Sequence, residues 1–367
     1  MSALYDLVAR YARLGNHRTG TEVDRATVDW MTELLSEKGA TVTRHAYAFP
    51  LFTGEAHGTG SADGVALEPL YYSATGELTE EAAHVASIDF DESHGDGAIA
   101  EALNSSVQDA HAAGARMVIV ATRTPTGSLC AINRAPQATG DVPICLAPGQ
   151  ALDQLSSDQA GVRFRAEIST GHSENLSAFF PCAQCDRTPL VVTTPLSGWF
   201  ACAGERGTGI AIALSVAETL SRHIPVLLVM PTGHELGYFG AARFVESFER
   251  KISGVLHLGS CLADKTALSE EGAMMSVSNL KGAAFEKACD GLAPLGVVPR
   301  QPKAPLAPAE WVGESELWAP RGDAMISIAG TSPRFHTPED LAKLVTDEET
   351  LQRVRSCVLT TAQALIA

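Results

Sequence analysis

The sequence lacks any long hydrophobic run. Its longest apolar stretches, such as residues 224–230, fall far short of the ~20 residues that a membrane-spanning helix requires. The first residues, MSALYDLVARYARLG, carry charges throughout, whereas a signal peptide has an apolar segment followed by small residues. We therefore expect no membrane partner and a cytoplasmic location.

Positive charge is also scarce. The 367 residues include 27 Lys and Arg against 43 Asp and Glu, a formal net charge of −16. The basic residues are scattered, whereas a protein that binds phosphate backbones needs a basic stripe. We expect no nucleic-acid partner. A small molecule or a short peptide-like substrate is the expected ligand, and the oligomeric state is not indicated.

Cysteines are few and widely spaced. Eight in a chain of this length fit reduced thiols in a reducing compartment better than a disulfide scaffold. Cys182 and Cys185 form the one C-x-x-C, without a second pair at zinc-finger spacing. We therefore interpret this pair as chance or loop packing rather than a structural zinc site.

The hydrophobic and charged fractions, 45% and 19%, are those of an ordinary globular protein. After Pro189, the strand-like runs LVVTT, VLLVM and VLHL alternate with helical runs. This alternation predicts an α/β fold with a mostly parallel central sheet flanked by helices. Helix signals at the two ends are a cap at Thr21 and a capping box that begins at Thr346.

The segment from 51 to 178 differs from the rest of the chain in pattern and composition, with short strand-like runs and many Gly and Ala residues. Within it, HAAGARMVIVA joins a helix end at Gly114 to a β-branched run, as in a βαβ unit. We predict an inserted subdomain at 51–178 and a main domain made of 1–50 and 179–367. We expect the insertion to cover the ligand cleft.

Ligand sites in open α/β sheets gather where the strands end. The loops that follow the predicted strands read PLSGWFACAGERGTG, PTGHELGYFG and GSCLAD, and a later segment reads RFHTPEDL. In this order they resemble the co-catalytic zinc aminopeptidase family, which includes glutaminyl cyclases, glutamate carboxypeptidase and the transferrin receptor ectodomain. The resemblance covers nearly the whole chain and implies the zinc-exopeptidase α/β fold with a protease-associated-like insertion.

The resemblance also implies that two of five metal ligands are lost. The first, a His in a His-x-Asp motif, corresponds to Pro195 in Pro195-Leu196-Ser197. The fourth, an Asp at a strand end, corresponds to Gly259. Neither residue has a side chain that can bind metal, so we do not expect the family's two-zinc centre.

Three ligand positions keep a suitable side chain. The family's bridging Asp corresponds to Glu205. The second residue of its Glu-Glu pair corresponds to Glu235, and its last His corresponds to His336. The first Glu of the pair, the family's general base, is replaced by His234. Three ligands and a water would suit one tetrahedral zinc at about 2.0 to 2.2 Å, so the resemblance implies at most one zinc ion, or none.

The leading hypothesis is a hydrolase-like protein that acts on an amide or related bond of a small substrate. A neutral imidazole at His234 would activate water, while Glu235, His336 and Glu205 hold the metal or polarise the carbonyl. One alternative is a non-catalytic binding protein that keeps the fold. Another is a metal-free hydrolase that uses Ser260 or Cys261 as nucleophile.

Each retained residue also has a purely structural interpretation. His336 could tie its turn to the sheet. Glu235 could be a buried acid satisfied by backbone N–H groups at a helix N-terminus. Glu205 could pair with Arg206 or with solvent.

Overall fold

A computed structural model describes residues 4–90, 95–137, 140–156, 159–183, 185, 187–270 and 272–366. The helices are α1 (Leu4–Arg13), α2 (Glu22–Glu37), α3 (Gly95–Ala112), α4 (Leu152–Leu155), α5 (Thr208–Leu220), α6 (Phe239–Glu246), α7 (Gly282–Leu292), α8 (Ala342–Val345) and α9 (Glu348–Ala362). None of the helices formed by these residues is long and apolar enough to cross a membrane.

The strands belong to two sheets. They are β1 (Thr41–Gly60), β2 (Glu68–Pro69), β3 (Gly76–Glu80), β4 (His84–Asp89), β5 (Val118–Arg123), β6 (Ile144–Pro148), β7 (Ala160–Phe180), β8 (Leu190–Thr193), β9 (Val226–Met230), β10 (Gly254–Leu258), β11 (Met274–Ser278) and β12 (Met325–Gly330). The larger sheet has eight strands in the order β1-β7-β9-β8-β10-β12-β11, with β3 beside β7.

The larger sheet is mixed. The four central strands β9, β8, β10 and β12 run parallel, while β1, β3, β7 and β11 pair antiparallel with their neighbours. The prediction of a mostly parallel sheet is correct for the centre and wrong for the flanks. The reason is that β1 and β7 pair along their whole length and continue the sheet from β9.

The smaller sheet has the order β2-β6-β5-β4 and lies entirely within the predicted insertion. In it, α3 connects the parallel strands β4 and β5, as the HAAGARMVIVA pattern indicates. The predicted boundaries at 51 and 178 fall inside β1 and β7, which belong to the larger sheet. The division into domains stays a prediction.

Burial explains the apolar composition of the central strands. Every residue of β8, β9, β10 and β12 is buried, and α5 is buried along most of its length. Strands covered by helices on both faces read as continuous apolar runs rather than alternating ones. The cluster that they form with α1, α2 and α9 is the main core.

The two predicted helix starts have different outcomes. The Thr21 side chain accepts a hydrogen bond from the Asp24 N–H, so the cap of α2 is confirmed. The last helix begins later than predicted, because Asp347 rather than Thr346 is the cap and accepts from the Thr350 N–H. An ionised Asp in β conformation suits this N-cap position better than Thr, because its negative charge also interacts favourably with the positive end of the helix dipole.

Candidate functional site

The loops after β8, β9 and β10, together with the chain after β12, carry all the predicted site residues. Positive φ angles at non-glycine residues concentrate here. They occur at Phe200, Cys202, Tyr238, Cys261 and His336, with Tyr72 as the one further case among the described residues. L-residues adopt this conformation at a cost, and such positions cluster at functional sites. The local geometry therefore marks the same loops as the motifs.

Glu205 and Arg206 lie in a π-helical turn, Ala203–Gly207, that precedes α5. Their side chains form an ion pair of 2.5 Å and are 0% and 1% exposed. Burial raises the pKa of Glu205, but the charges of Arg206 and His336 outweigh it and hold that pKa below its usual value. Arg206 Nε also donates to the Ser197 carbonyl oxygen at 3.0 Å. The pairing of Glu205 with Arg206, one of the alternatives above, is thus present inside the core.

Asp340, in the HTPED motif, fixes this turn. Its carboxylate accepts the backbone N–H groups of Gly204 at 2.6 Å and Glu205 at 2.9 Å. A Cβ at Gly204 would lie 2.9 Å from Asp340 Oδ1 and 3.0 Å from Asp264 Oδ2. The turn therefore requires glycine at position 204. Because the backbone of Gly204 lies this close to the Asp340 and Asp264 carboxylates, the direction of the Glu205 side chain is fixed.

Glu235 is fully buried, and both of its carboxylate oxygens are engaged. Oε1 accepts the Thr19 backbone N–H at 2.5 Å, and Oε2 accepts the Ser197 hydroxyl at 2.8 Å. The Ser197 oxygen in turn accepts the backbone N–H groups of Gly233 and His234. The carboxylate is therefore part of a network that ties the loop after β9 to the chain before α2. Its position matches the buried-acid interpretation, although the backbone donor comes from a remote loop and not from a helix N-terminus.

His336 connects Glu205 to the inserted segment. Its Nε2 lies 3.1 Å from Glu205 Oε1, and its Nδ1 lies 3.0 Å from the Ala131 carbonyl oxygen. The Ala131 N–H also donates to the His336 carbonyl at 2.9 Å. The predicted ligand side chains Glu205 and His336 are thus brought together, through a hydrogen bond.

His234 pairs with a residue that the motifs do not reveal. Its Nδ1 lies 2.9 Å from Oε1 of Glu314, in the turn Gly313–Leu317. Burial lowers the pKa of His234 well below its usual value, and the charges of Arg206 and His336 add to this. Burial raises the pKa of Glu314 to about 8. The two groups therefore form a pair that is neutral at pH 7.

His257 occupies the region of the lost fourth ligand. Its Nδ1 lies 2.9 Å from the Ser327 hydroxyl, and burial lowers its pKa to about 3. A Cβ at Gly259 would lie 3.1 Å from His257 Cε1 and 2.9 Å from the Ala329 Cβ. The backbone at Gly259 thus has no room for an aspartate without rearrangement.

Several buried polar atoms around Arg206 have no hydrogen-bond partner within the described residues. They are Glu205 Oε2, Arg206 Nη1 and Nη2, His257 Nε2 and Glu314 Oε2. Arg206 Nη2 is close enough to Glu205 for an ion pair, but the angle is not that of a hydrogen bond. Buried polar groups are normally satisfied by protein or by a bound molecule, and these unsatisfied atoms form a polar cluster around Arg206.

The segment 128–135, within the predicted insertion, contacts two of the motif-bearing loops. The Arg134 N–H donates to the Glu235 carbonyl at 2.9 Å, and Ala131 pairs with His336 as described above. The Ser128 hydroxyl donates to Glu339 Oε1 at 2.6 Å. The segment therefore contacts both the GHELG and the RFHTPED motifs, as expected of a lid.

The donor set does not fit a zinc ion. Among the described residues, no group of three His, Cys, Asp or Glu side chains is placed to hold a metal. Glu205 is paired with the guanidinium of Arg206, and Glu235 already accepts two hydrogen bonds. A divalent cation at Glu205 would meet the positive charge of Arg206 in a buried site, where repulsion between charges is strong.

The two candidate nucleophiles, Ser260 and Cys261, lie in the loop after β10. The Ser260 hydroxyl donates to the Gly330 carbonyl at 2.8 Å. Cys261 is buried at 1% exposure and has a positive φ. Nucleophilic catalysis by either residue stays a prediction without support from these contacts.

The mixed eight-stranded sheet, with its site loops at the ends of the parallel strands and a smaller sheet inserted, is the fold of the zinc aminopeptidases. The zinc aminopeptidase BSAP from Bacillus subtilis matches 99% of this chain over 94% of its own length, at 15% identity and a TM-score of 0.74. The peptidase M28 precursor from Shewanella amazonensis matches 99% over 93%, at 17% identity and a TM-score of 0.75. An aminopeptidase from Aneurinibacillus sp. strain AM-1 matches 98% over 93%, at 16% identity and 0.63.

The zinc aminopeptidase fold implied by the sequence motifs is confirmed by these matches, while the protease-associated character of the segment 51–178 stays a prediction. At identities of 15% to 17%, the likeness establishes the fold and leaves activity and substrate open. No protein-family model matches the sequence, and no curated protein is significantly similar to it.

Proposed function

We propose that this protein is a metal-independent binding protein on the aminopeptidase fold, which holds a small peptide-like ligand in its cleft and does not hydrolyse it. The observation that carries the proposal is the buried ion pair between Arg206 and Glu205. By resemblance, Glu205 occupies the position of the carboxylate that bridges two metals. Here a guanidinium neutralises it.

Repulsion between a metal ion and Arg206 supports the interpretation that the guanidinium replaces the metal at Glu205. Two positive charges about 4 Å apart repel by ~4 kcal/mol even at an effective dielectric constant near 20, and a divalent ion doubles that term. A zinc ion at Glu205 would have to displace Arg206, which is fully buried and hydrogen-bonded to Ser197. The site therefore favours the arginine over a metal.

The groups that remain are poorly suited to activating water without a metal. A good general base has a pKa near the working pH, whereas burial lowers the pKa of His234 well below its usual value. Its partner Glu314 has a pKa raised to about 8 by burial, so it offers no negative charge at pH 7 to stabilise an imidazolium. Binding is thus better supported than turnover.

The polar cluster supports a ligand of peptide-like chemistry. Arg206 supplies N–H donors, while Glu314 and Glu205 each supply an Oε2 atom that has no hydrogen-bond partner in the described part of the chain. An amide group has one donor and one acceptor face and can pair with both kinds of group. The solved structures of the same fold are named as aminopeptidases, which act at the end of a peptide.

The test combines metal analysis with an assay of peptide-bond cleavage. Protein purified without added zinc should contain less than about 0.1 zinc per chain and should keep its melting temperature in a chelator, because no side-chain set competes for the metal. A panel of amino-acid anilides should show no cleavage above the buffer rate. One tightly held zinc per chain, with activity that chelation abolishes, would overturn the proposal.

A second candidate function is metal-free amide hydrolysis, which the contact of 2.9 Å between His234 Nδ1 and Glu314 Oε1 favours because it orients the imidazole, although a neutral Glu314 does not stabilise an imidazolium. In this reaction His234 Nε2 takes a proton from water, the hydroxide adds to the amide carbon, and Arg206 stabilises the oxyanion. The C–N bond then breaks as the imidazolium returns the proton to the amine. Cleavage that resists chelators and is lost in His234→Ala would favour this candidate.

A further inference from the structure

Two of the chain's eight cysteines lie together at the surface. Cys182 and Cys185, which form the C-x-x-C of the sequence, are both partly exposed, and so is Cys289 on α7. The buried cysteines are Cys130, Cys145, Cys202, Cys261 and Cys357. A reagent in solution can therefore reach three thiols, and two of them belong to one motif.

The cysteine pair lies in the loop between β7 and β8. A turn begins directly after Cys182, at Ala183. The Cα atoms of the first and fourth residues of such a turn are less than about 7 Å apart, and a disulfide needs a Cα separation of about 4.4 to 6.8 Å. The backbone thus brings Cys182 and Cys185 into the range that a bridge requires.

The two thiols contact each other and differ in their surroundings. A hydrogen bond with Cys182 is the main cause that raises the pKa of the Cys185 thiol, with Arg187 acting in the opposite direction. The Cys185 Sγ also donates to the His223 carbonyl oxygen at 3.4 Å. A thiol that donates keeps its proton, so Cys185 is the protonated member of the pair.

Metal binding is another common role of a C-x-x-C sequence. A structural zinc ion takes four ligands. In the part of the chain that the structure describes, no third His, Cys, Asp or Glu side chain joins the two cysteines in a possible metal site. The contact between two accessible thiols therefore favours redox chemistry over metal binding.

We propose that Cys182 and Cys185 form a thiol–disulfide exchange site for small disulfides such as glutathione disulfide. The Cys182 thiolate attacks one sulfur of the small disulfide, its S–S bond breaks, and one glutathione thiolate leaves. Cys185 then gives up its proton and attacks the Cys182 sulfur of the mixed disulfide, which releases the second glutathione. The two protons and two electrons that the protein loses reduce glutathione disulfide to two thiols.

Cys289 provides an internal comparison. Burial raises the pKa of its thiol, and the charges of Asp290 and Glu286 add to this. The thiolate is the reactive form of cysteine, so this thiol should react slowly. Because Cys289 is not part of a C-x-x-C, its reaction should stop at the mixed disulfide.

The test incubates the folded, reduced protein with excess glutathione disulfide and maps every cysteine by mass spectrometry. The wild type should form the Cys182–Cys185 disulfide, and excess dithiothreitol should reverse it. Its mixed disulfide should stay below about a tenth of the protein, because a neighbouring thiol acts at a high effective concentration. Cys185→Ser should instead accumulate glutathione on Cys182, while Cys289→Ser should behave as the wild type does.

The order of attack gives a second measurement. Cys182→Ser should acquire glutathione at Cys185 roughly 10-fold more slowly than Cys185→Ser acquires it at Cys182, because the thiolate fraction sets the rate. Equal rates would overturn the assignment of Cys182 as the attacking thiol. Glutathione on both cysteines without a bridge, a bridge to any other cysteine, or no reaction at either thiol would overturn the exchange site itself.

Discussion

Arg206 and Glu205 form an ion pair of 2.5 Å whose side chains are 1% and 0% exposed. Adjacent residues seldom pair in this way on a regular helix, because neighbours in sequence point in different directions. Here the π-helical turn Ala203–Gly207 turns both side chains inward. The pair thus fills the position that the resemblance assigns to the metal-bridging carboxylate.

Removing this arginine should destabilise the protein strongly. Arg206→Met leaves Glu205 buried without its counter-charge, which costs about 3 to 5 kcal/mol. Adding Glu205→Gln, which keeps an acceptor for His336, should recover much of that loss. Urea unfolding measures both, with the surface variant Arg44→Met as a control expected to cost at most ~1 kcal/mol. A loss in Arg206→Met no larger than that of the control would contradict the prediction.

The stability of the protein should fall with rising pH because of Glu314. Burial raises its pKa in the folded protein to about 8, Arg206 opposes this and Glu235 adds to it, while His234 is its hydrogen-bond partner. Between the ordinary carboxyl pKa near 4.5 and the folded value, the folded state keeps a proton that the unfolded chain releases. The free energy of unfolding therefore declines with pH, by up to ~1.4 kcal/mol per pH unit for this one proton.

The variant Glu314→Gln cannot ionise and should show a shallower decline between pH 5 and pH 8, on the order of the slope just given. Asp24 and Asp340, whose pKa values burial raises to about 7, contribute a decline of the same sign in both proteins. The measurement is therefore the difference between the two unfolding curves across pH. Parallel curves would show that Glu314 is ionised throughout this range.

Ser197 should matter more to stability than its size suggests. Its hydroxyl donates to Glu235 and accepts the N–H groups of Gly233 and His234. Ser197→Ala leaves a buried carboxylate oxygen and two N–H groups without their partner, which should cost about 1 to 3 kcal/mol or more. Ser260→Ala is a matched control, because that hydroxyl makes one bond to a carbonyl. Equal losses in the two variants would show that Glu235 does not depend on Ser197.

Restoring the family's zinc ligands should fail unless Arg206 is also removed. The variant Pro195→His/His234→Glu/Gly259→Asp keeps the guanidinium beside Glu205, and its new aspartate has its Cβ 2.9 Å from that of Ala329. We expect it to bind less than about 0.1 zinc per chain, while addition of Arg206→Ala raises zinc uptake. Elemental analysis after dialysis checks both. Full zinc loading of the variant that keeps Arg206 would contradict the expectation.

The sequence reveals the framework because apolar runs and strand–helix alternation are local signals. LVVTT, VLLVM and VLHL lie where the pattern predicts, and the motif order leads to the correct fold. The antiparallel flank escapes prediction because 99 residues separate the end of β1 from the start of β7, and a register set by such distant residues leaves no local trace. The short strand-like runs and the many Gly and Ala residues between them instead suggested a boundary near 51 and 178.

The candidate site is only partly visible in the sequence for a related reason. Glu205, Glu235 and His336 are found through motifs, and the structure places Glu205 and His336 in contact. Glu314 has no motif and approaches His234 from 80 residues away. Arg206 is visible as a neighbour of Glu205, but its inward direction depends on a turn held by Asp340. The signal in the sequence that could have identified this role is a positively charged residue directly after Glu205 in an otherwise metal-binding motif.

The ion pair at Glu205 also changes what the protein requires from the cell. A metal that bridges carboxylates must be acquired after synthesis and can be lost when zinc is scarce. The guanidinium of Arg206 is part of the chain and is present as soon as the polypeptide has been made. Under the proposed metal-independent function, folding of this site draws nothing from the zinc supply, and the protein should accumulate to the same level in zinc-starved and zinc-replete cells.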